Sequence, residues 1–274
     1  MDQIIIKELE IYSNHGVYKE EKVLGQKFLV SAVLYTDTKR AGASDKIEDS
    51  VNYGDVCHRI RDIMEGNTFD LIERAAETIA ERLLIKYDLI KEVEVEVKKP
   101  WAPIGLPIQS VAVKIKRKWS RAYIGVGSNM GDRAEYIKQA VKQVDHEDDT
   151  RVMCVSSLLE TEPYGNVDQD PFINGCIGID TLKSPAELLE FLQGLESRAG
   201  RERTVHWGPR TLDLDILLYE DLILNEQHLK IPHIEIPKRQ FVLEPLAQIA
   251  PHVRHPVLNR TILELKEALE EKES

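Results

Sequence analysis

The sequence predicts an α+β protein in two parts, and three observations carry that expectation. Its 274 residues exceed the roughly 100–200 of an average domain. The first 118 residues read as two strands, two helices and two strands, an order that means an antiparallel sheet covered on one face. The remainder mixes strands with amphipathic helices in a different order, after the basic stretch "KIKRKWSR". A boundary near residue 119 follows, giving domains 1–118 and 119–274 joined by a short linker.

In the first domain, residues 3–12 and 26–37 read as strands, the second ("QKFLVSAVLYTD") apolar on both faces, with "HGVYKEEKVLGQ" as a long loop between them. "DVCHRIRDIMEG" puts Val56, Ile60, Ile63 and Met64 on one helical face, with Gly66 as a stop. "DLIERAAETIAERLLIKY" is a stronger helix, with Asp70 as its N-cap and Leu71, Ile72, Ala75, Ile79 and Leu83 inward. Two period-2 strands close the unit, Val93, Val95 and Val97 inward on one, Val111, Val113 and Ile115 on the other.

The second domain reads strand (121–127), helix (133–145), strand (151–160), strand (172–181), helix (185–198) and strand (211–219), then a Pro/His-rich segment and two helices. Ser184–Pro185 supplies an N-cap and N1 pair, and Gly200 ends that helix.

Composition narrows the function. A net charge of −11 argues against a nucleic-acid binder working through a basic surface. Up to Lys118 there are 19 Lys and Arg against 20 Asp and Glu; beyond it, 17 against 27. The acidic second half nevertheless gathers Arg201, Arg203 and Arg210, which suggests a small-anion site. No run of eighteen apolar residues predicts a membrane span, the N-terminus does not read as a signal peptide, and the three cysteines are scattered. A cytoplasmic protein without membrane or nucleic-acid partners is expected.

The most specific chemical signal is "WGPRTLDLDILLYE". Asp213 and Asp215 stand two apart on a strand, so both carboxylates share a face, at a cost unless a positive group meets them. Carboxylates without cysteine or paired histidine favour Mg²⁺ carried on phosphates, and arginines fit phosphate oxygens. Together they describe a phosphoryl-transfer site, which His233, Arg239 and Phe241 would complete. "IGVGSNMGD" does not fit a phosphate loop and reads as a strand-to-helix turn capped by Asn129 or Asp132. In the first domain the candidates are scattered: Glu21, Tyr53, Glu73 and Lys99. Read singly, each is an ordinary polar residue.

Longer stretches resemble known families over nearly the whole chain. "WGPRTLDLDILL", with "GRERTVHW" before it, "IPHIEIPKRQFVLEPLAQIAP" after it, and "YIGVGSNMGD" and "TEPYG…DPFING" upstream, resembles 6-hydroxymethyl-7,8-dihydropterin pyrophosphokinase. "HGVYKEEKVLGQKF", "VNYGDV", "LIERAAE" and "KKPWAPI" resemble dihydroneopterin aldolase. The pair catalyses consecutive steps of folate synthesis, so the chain looks like a fused bifunctional enzyme.

For the second domain the resemblance implies a ferredoxin-like fold that transfers pyrophosphate from ATP to the pterin's hydroxymethyl group. Asp213 and Asp215 would hold two Mg²⁺ ions. Arg201 and Arg210 would stabilise the transferring charge, while Gln193, Glu196, Arg203, Trp207, His233 and Arg239 would contact ATP. The pterin would lie between Phe172 and Phe241 and be read by Asn174 and the stretch Thr161–Tyr164. An aromatic often found after the ATP-binding histidine is Ile234 here.

For the first domain it implies a T-fold-like sheet that assembles into a homo-oligomer, cleaving dihydroneopterin to hydroxymethyldihydropterin and glycolaldehyde without a cofactor. Ile72 and Glu73 would bind the pterin. Lys99 and Tyr53 would move protons, Tyr53 coming from a neighbouring subunit, and Glu21 would orient Lys99. A rival reading keeps the kinase and makes the N-terminal half a non-catalytic oligomerisation module.

Overall fold

A computed structural model describes residues 1–162, 169–200 and 210–273. The chain divides into two compact units, Met1–Trp119 and Ser120–Ser274.

In the first unit β1 (Asp2–Ser13), β2 (Gln26–Thr36), β3 (Glu92–Lys99) and β4 (Val111–Lys118) form one antiparallel sheet in that order. A short helix α1 (Lys19–Leu24) occupies the expected long loop, α2 (Lys39–Ser44) follows β2, and α3 (Tyr53–Gly66) and α4 (Ile72–Lys86) pack on the sheet. The period-2 pattern does what it predicts: Phe28, Val30, Ala32 and Leu34 of β2 and Val93, Val95 and Val97 of β3 are buried on the helix-covered face. On the opposite face Lys114 reaches Glu94 and Lys116 reaches Glu92, each at 2.7 Å, as diagonal cross-strand pairs.

Val56, Ile60, Ile63 and Met64 of α3 are buried as the spacing predicts, and so are Ala75, Ile79 and Leu83 of α4. Two expectations at the start of α4 are corrected. Leu71, not Asp70, holds the N-cap position, with extended backbone and an exposed side chain, while Asp70 is drawn into an ion pair with Lys22. On β4, Val111, Val113 and Ile115 are only partly covered, because that strand forms the sheet's edge.

The second unit runs β5 (Ser120–Ser128), α5 (Arg133–His146), β6 (Thr150–Val155), β7 (Leu159–Thr161), β8 (Phe172–Thr181), α6 (Pro185–Arg198) and β9 (Asp213–Tyr219). A small hairpin, β10 (Leu224–Asn225) and β11 (Lys230–Ile231), then leads to α7 (Gln240–Ile249) and α8 (Ile262–Glu273). The sheet is antiparallel in the order β6-β8-β5-β9, with β7 also on β8, which is the ferredoxin-like βαββαβ arrangement. The strand expected at 151–160 breaks in two where Ser156 donates its N–H to the Cys176 carbonyl and accepts the Cys176 N–H on its hydroxyl.

Local capping explains the helix starts. Asp132 accepts the Glu135 N–H, and Ser184 and Glu187 form a reciprocal capping box with Pro185 at N1. Ile124, Ile177, Leu188 and Leu192 belong to the core under α5 and α6. On the other sheet face, Tyr123, Cys176 and Leu217 are covered by Leu243 and Leu246 of α7 and Ile262 of α8. Only the part of that face carrying Tyr123 and Cys176 is sealed this way, and the part beside Gly127 opens into a cleft.

One buried group sets a pH dependence. His15, fully enclosed beside Phe28 and Phe69, is pushed from 6.5 to about 4, first by burial and then by the charge of Lys99. A depressed histidine pKa stabilises the folded unit fully above the unfolded value and loses that contribution as pH falls through the window toward 4. We predict that unfolding in urea, followed between about pH 7 and pH 4, shows a decline that His15→Asn flattens. The same decline in the variant would assign it to another group.

Candidate active sites

Lys99 closes β3 two residues beyond Val97, so period 2 puts its ammonium on the buried face. Glu21 meets it there, Nζ to Oε1 at 2.5 Å, with both side chains nearly buried. Several contacts aim Glu21. The Tyr18 N–H donates to Oε2 at 3.2 Å and Gln26 Nε2 to Oε1 at 3.1 Å. Tyr12 and Asn14, at the end of β1, donate to the Leu24 and Lys22 carbonyls and hold α1 against the strand. Gly16 is required here: its φ is +149°, and a Cβ would stand 2.3 Å from Glu21 Oε2. Burial pushes the Glu21 carboxyl up, but the hydrogen bonds from Lys99, Tyr18 and Gln26 and the charge of Lys99 outweigh it, leaving the pKa below the usual range. Glu21 therefore stands as a carboxylate at neutral pH.

Glu73 lies in the first turn of α4, exposed, with Ile72 half-buried before it. Tyr53 opens α3, whose N-cap Asn52 accepts the Gly54 and Asp55 N–H groups, and is 64% exposed. Glu21 and Lys99 are thus brought together within one chain, whereas Tyr53 faces outward. Sequence reading did not single out His15 and Gln26, although both lie in the quoted "HGVYKEEKVLGQKF".

In the second unit a cleft of about 300 Å³ gathers residues from distant stretches: Thr161, Phe172, Asn174, Arg210, Asp213, Asp215, His233, Arg239 and Phe241. In the register of β5 and β9, Asp213 stands opposite Gly127 and Asp215 opposite Gly125. Neither register partner sets a side chain beside the carboxylate opposite it, and both aspartates line the cleft. Both glycines lie in the strand expected at 121–127, and of the two cap candidates in the turn that follows it is Asp132 that caps the helix. A Cβ on Gly127 would come within 2.9 Å of Asn174 Oδ1, and Asn174 in turn donates to Thr161 Oγ1 at 2.7 Å. Arg210 is ion-paired with Asp213. The His233 N–H donates to the Leu217 carbonyl at 2.9 Å, hanging that histidine on the edge of β9.

Two further residues shape this cleft, and Glu196, expected as an ATP contact, is instead buried behind β9. Asn129, noted from sequence only as a cap, is buried and ties two connections: its side-chain oxygen accepts the Arg210 N–H at 2.7 Å, and Nδ2 donates to Gln169 Oε1 and the Asp170 carbonyl. Glu235, in the quoted "IPHIEIPKRQF" but not singled out, lines the cleft and accepts from Arg239 Nε at 3.0 Å. Glu196 is buried on α6 and accepts the Leu214 N–H at 2.8 Å, fixing the β9 backbone between the two aspartates. Gln193, a turn earlier on α6, is exposed. Tyr164, Arg201, Arg203 and Trp207 lie outside the described residues.

The donor set suits one kind of metal. Among the described residues no group of three or more His, Cys, Asp or Glu side chains is placed to hold an ion. Two carboxylates on one open strand face, with arginines beside them, fit Mg²⁺ that arrives with its phosphates and keeps water ligands. Among the described residues no helix is long and apolar enough to cross a membrane.

Comparison with known proteins gives matches in both units. The family model for dihydroneopterin aldolase matches residues 4–116, and that for 7,8-dihydro-6-hydroxymethylpterin-pyrophosphokinase matches residues 123–251. A folic acid synthesis protein, FOL1, of Dictyostelium discoideum is 30% identical over 97% of this chain, which spans 44% of that protein's length. The 2-amino-4-hydroxy-6-hydroxymethyldihydropteridine pyrophosphokinase of Pseudomonas aeruginosa is 43% identical over 50% of this chain and 84% of its own. The crystal structure of Escherichia coli dihydroneopterin aldolase in complex with neopterin is 32% identical over 43% of this chain and 99% of its own, with a TM-score of 0.41. The chain belongs to the dihydroneopterin aldolase family through its first unit and to the 7,8-dihydro-6-hydroxymethylpterin-pyrophosphokinase family through its second.

Proposed function

We propose that the chain carries out two consecutive steps of folate synthesis, the aldolase in residues 1–118 and the pyrophosphokinase in residues 119–274. The observation that carries this reading is the convergence of Asp213, Asp215, Arg210, His233, Arg239, Phe172, Asn174 and Phe241 on one cleft from separate stretches of sequence.

In the second step the pterin's hydroxymethyl oxygen attacks the β-phosphorus of ATP, the bond from that phosphorus to the bridging oxygen of AMP breaks, and AMP leaves. Positioning and charge do most of the work in such a transfer. Phe172 and Phe241 offer apolar surfaces for the pterin ring, and Asn174 reads its edge. His233 and Arg239 hold ATP, with Glu235 fixing the Arg239 guanidinium. Arg210 exchanges its contact with Asp213 for the transferring phosphates. Asp213 and Asp215 would hold Mg²⁺, two ions by the family resemblance, which neutralise charge on the polyphosphate when bound. Arg201, Arg203, Trp207 and Tyr164 belong to the same site in this reading, and Glu196 supports β9 from behind while Gln193 faces the nucleotide.

In the first step a proton leaves the side-chain hydroxyl of dihydroneopterin and the adjacent carbon–carbon bond breaks. Its electron pair passes into the protonated ring, and the ring-side carbon is then reprotonated. Lys99 and Tyr53 move these protons, and the nearly buried Glu21 aims Lys99. Glu73, with two acceptor oxygens, anchors the pterin's guanidine-like edge beside Ile72. The outward-facing Tyr53 serves a neighbouring subunit. Exposed apolar side chains of the first unit, among them Val17, Val23, Leu24 and Leu106, support assembly into a homo-oligomer. Three unpaired cysteines suit a reducing cytoplasmic setting.

Supplying dihydroneopterin, ATP and Mg²⁺ should yield glycolaldehyde and AMP together, and no glycolaldehyde without ATP would sink the aldolase assignment. Asp215→Ala is expected to lower AMP formation by about a hundred- to a thousandfold, the scale of losing a main electrostatic group, with glycolaldehyde release intact. Loss of both activities would indicate misfolding. Lys99→Ala should reverse the pattern, and an unchanged cleavage rate would remove Lys99 from the mechanism. Asn129→Ala is predicted to raise KM for ATP and pterin with little change in denaturant midpoint of the first unit's unfolding; wild-type kinetics would show that the two connections need no tie.

A further inference from the structure

The first unit buries one titratable side chain that the two-step reading leaves without a role. His15 is fully enclosed, and its Nδ1 accepts the Phe69 N–H at 3.0 Å. The neighbouring Gly16 N–H donates to the Phe69 carbonyl at 2.9 Å, so Phe69 is held by two bonds to the segment that follows β1. Phe69 lies four residues before Glu73, just ahead of the first turn of α4.

The same segment also touches the other end of the site. The His15 ring stands edge-on to Phe28, centroids 5.2 Å apart, and Lys99 Nζ lies 6.0 Å from the Phe28 ring centre. Gly16 packs directly against the Glu21 carboxylate, as its missing Cβ shows. Residues 15–16 therefore bear on Glu21 and Lys99 on one side and on the approach to Glu73 on the other.

We propose that His15 is a positioning residue of the aldolase site: by fixing Phe69 it sets where the first turn of α4 presents Glu73 to substrate relative to the Lys99–Glu21 pair. This rests on the aldolase reading of the first unit. The chemistry asks for histidine in its neutral form. An Nδ1 that accepts a backbone N–H carries no proton, so the ring supplies an acceptor without a second positive charge beside Lys99. The flat ring also fills the space between Phe28 and Phe69.

Three substitutions in the full chain separate these parts. In His15→Asn the amide oxygen stands where Nδ1 does, so the Phe69 N–H keeps its acceptor. In His15→Gln the polar atoms are displaced to the far side of the ring position. His15→Phe keeps the ring and removes the acceptor. Losing the bond is worth about tenfold. The expected result is a rise of about tenfold in KM for dihydroneopterin in His15→Phe and His15→Gln, a smaller change in kcat, and values within about threefold of wild type in His15→Asn. Deuterium exchange of the 67–73 segment should accelerate in the first two and return to wild-type rates in the third. AMP formation from supplied hydroxymethyldihydropterin serves as the internal standard and should not move.

Wild-type KM and kcat in His15→Phe, or equal impairment of His15→Asn and His15→Gln, would overturn the proposal. If His15→Phe fails to fold, the contrast between Asn and Gln decides it. Failure of the wild-type chain to release glycolaldehyde would instead bring down the aldolase reading and the proposal with it.

Discussion

A charge placed on a buried strand face has to be met, and that constraint organises the working end of the first unit. The alternation that buries Val93, Val95 and Val97 carries on to Lys99, which puts an ammonium where the pattern demands an apolar group. Left without a partner there it would destabilise the sheet end, since breaking a buried pair costs about 3–5 kcal/mol. Glu21 answers it, and much of the local structure exists to bring Glu21 into reach: the turn of α1, the side chains of Tyr12, Asn14 and Gln26, and the glycine at 16. These surroundings hold Glu21 as a carboxylate against the Lys99 ammonium.

The second unit solves the inverse problem. Asp213 and Asp215 repel each other on one strand face, and the fold leaves that face open instead of sealing it. Glycines opposite both carboxylates clear the space, Arg210 pairs with one of them, and Glu196 locks the backbone between them from the other side of the strand. A cleft built this way favours a ligand that brings cations and phosphates together, because such a ligand satisfies aspartates and arginines at once. The two units thus handle charge differently, one by enclosing an ion pair and the other by lining an open cleft with two aspartates and an arginine paired to one of them.

The two chemistries also fit end to end. Cleavage of a polyol side chain to a hydroxymethyl group leaves the one primary hydroxyl that a pyrophosphate acceptor needs. In the proposed reading a carboxylate at Glu73 meets the pterin in one unit and aromatic surfaces and Asn174 meet it in the other, so the ring would be read through different contacts at each step.

The sequence by itself determined the α+β class, the helix faces of α3 and α4, the span of α6 and the same-face placement of Asp213 and Asp215, because each depends on periodicity or on caps within a few residues. Long motif stretches added the family, and with it the expectation that Glu21 orients Lys99. Only the tertiary structure decided that those two form a nearly buried pair, that Gly125 and Gly127 stand across from the aspartates, and that Asn129 ties Arg210 to Gln169. It also moved Leu71 out to the surface and left β4 as a half-covered edge. Each of these depends on strand register or on contacts between residues dozens of positions apart, and neither is written in the local alternation of apolar and polar side chains.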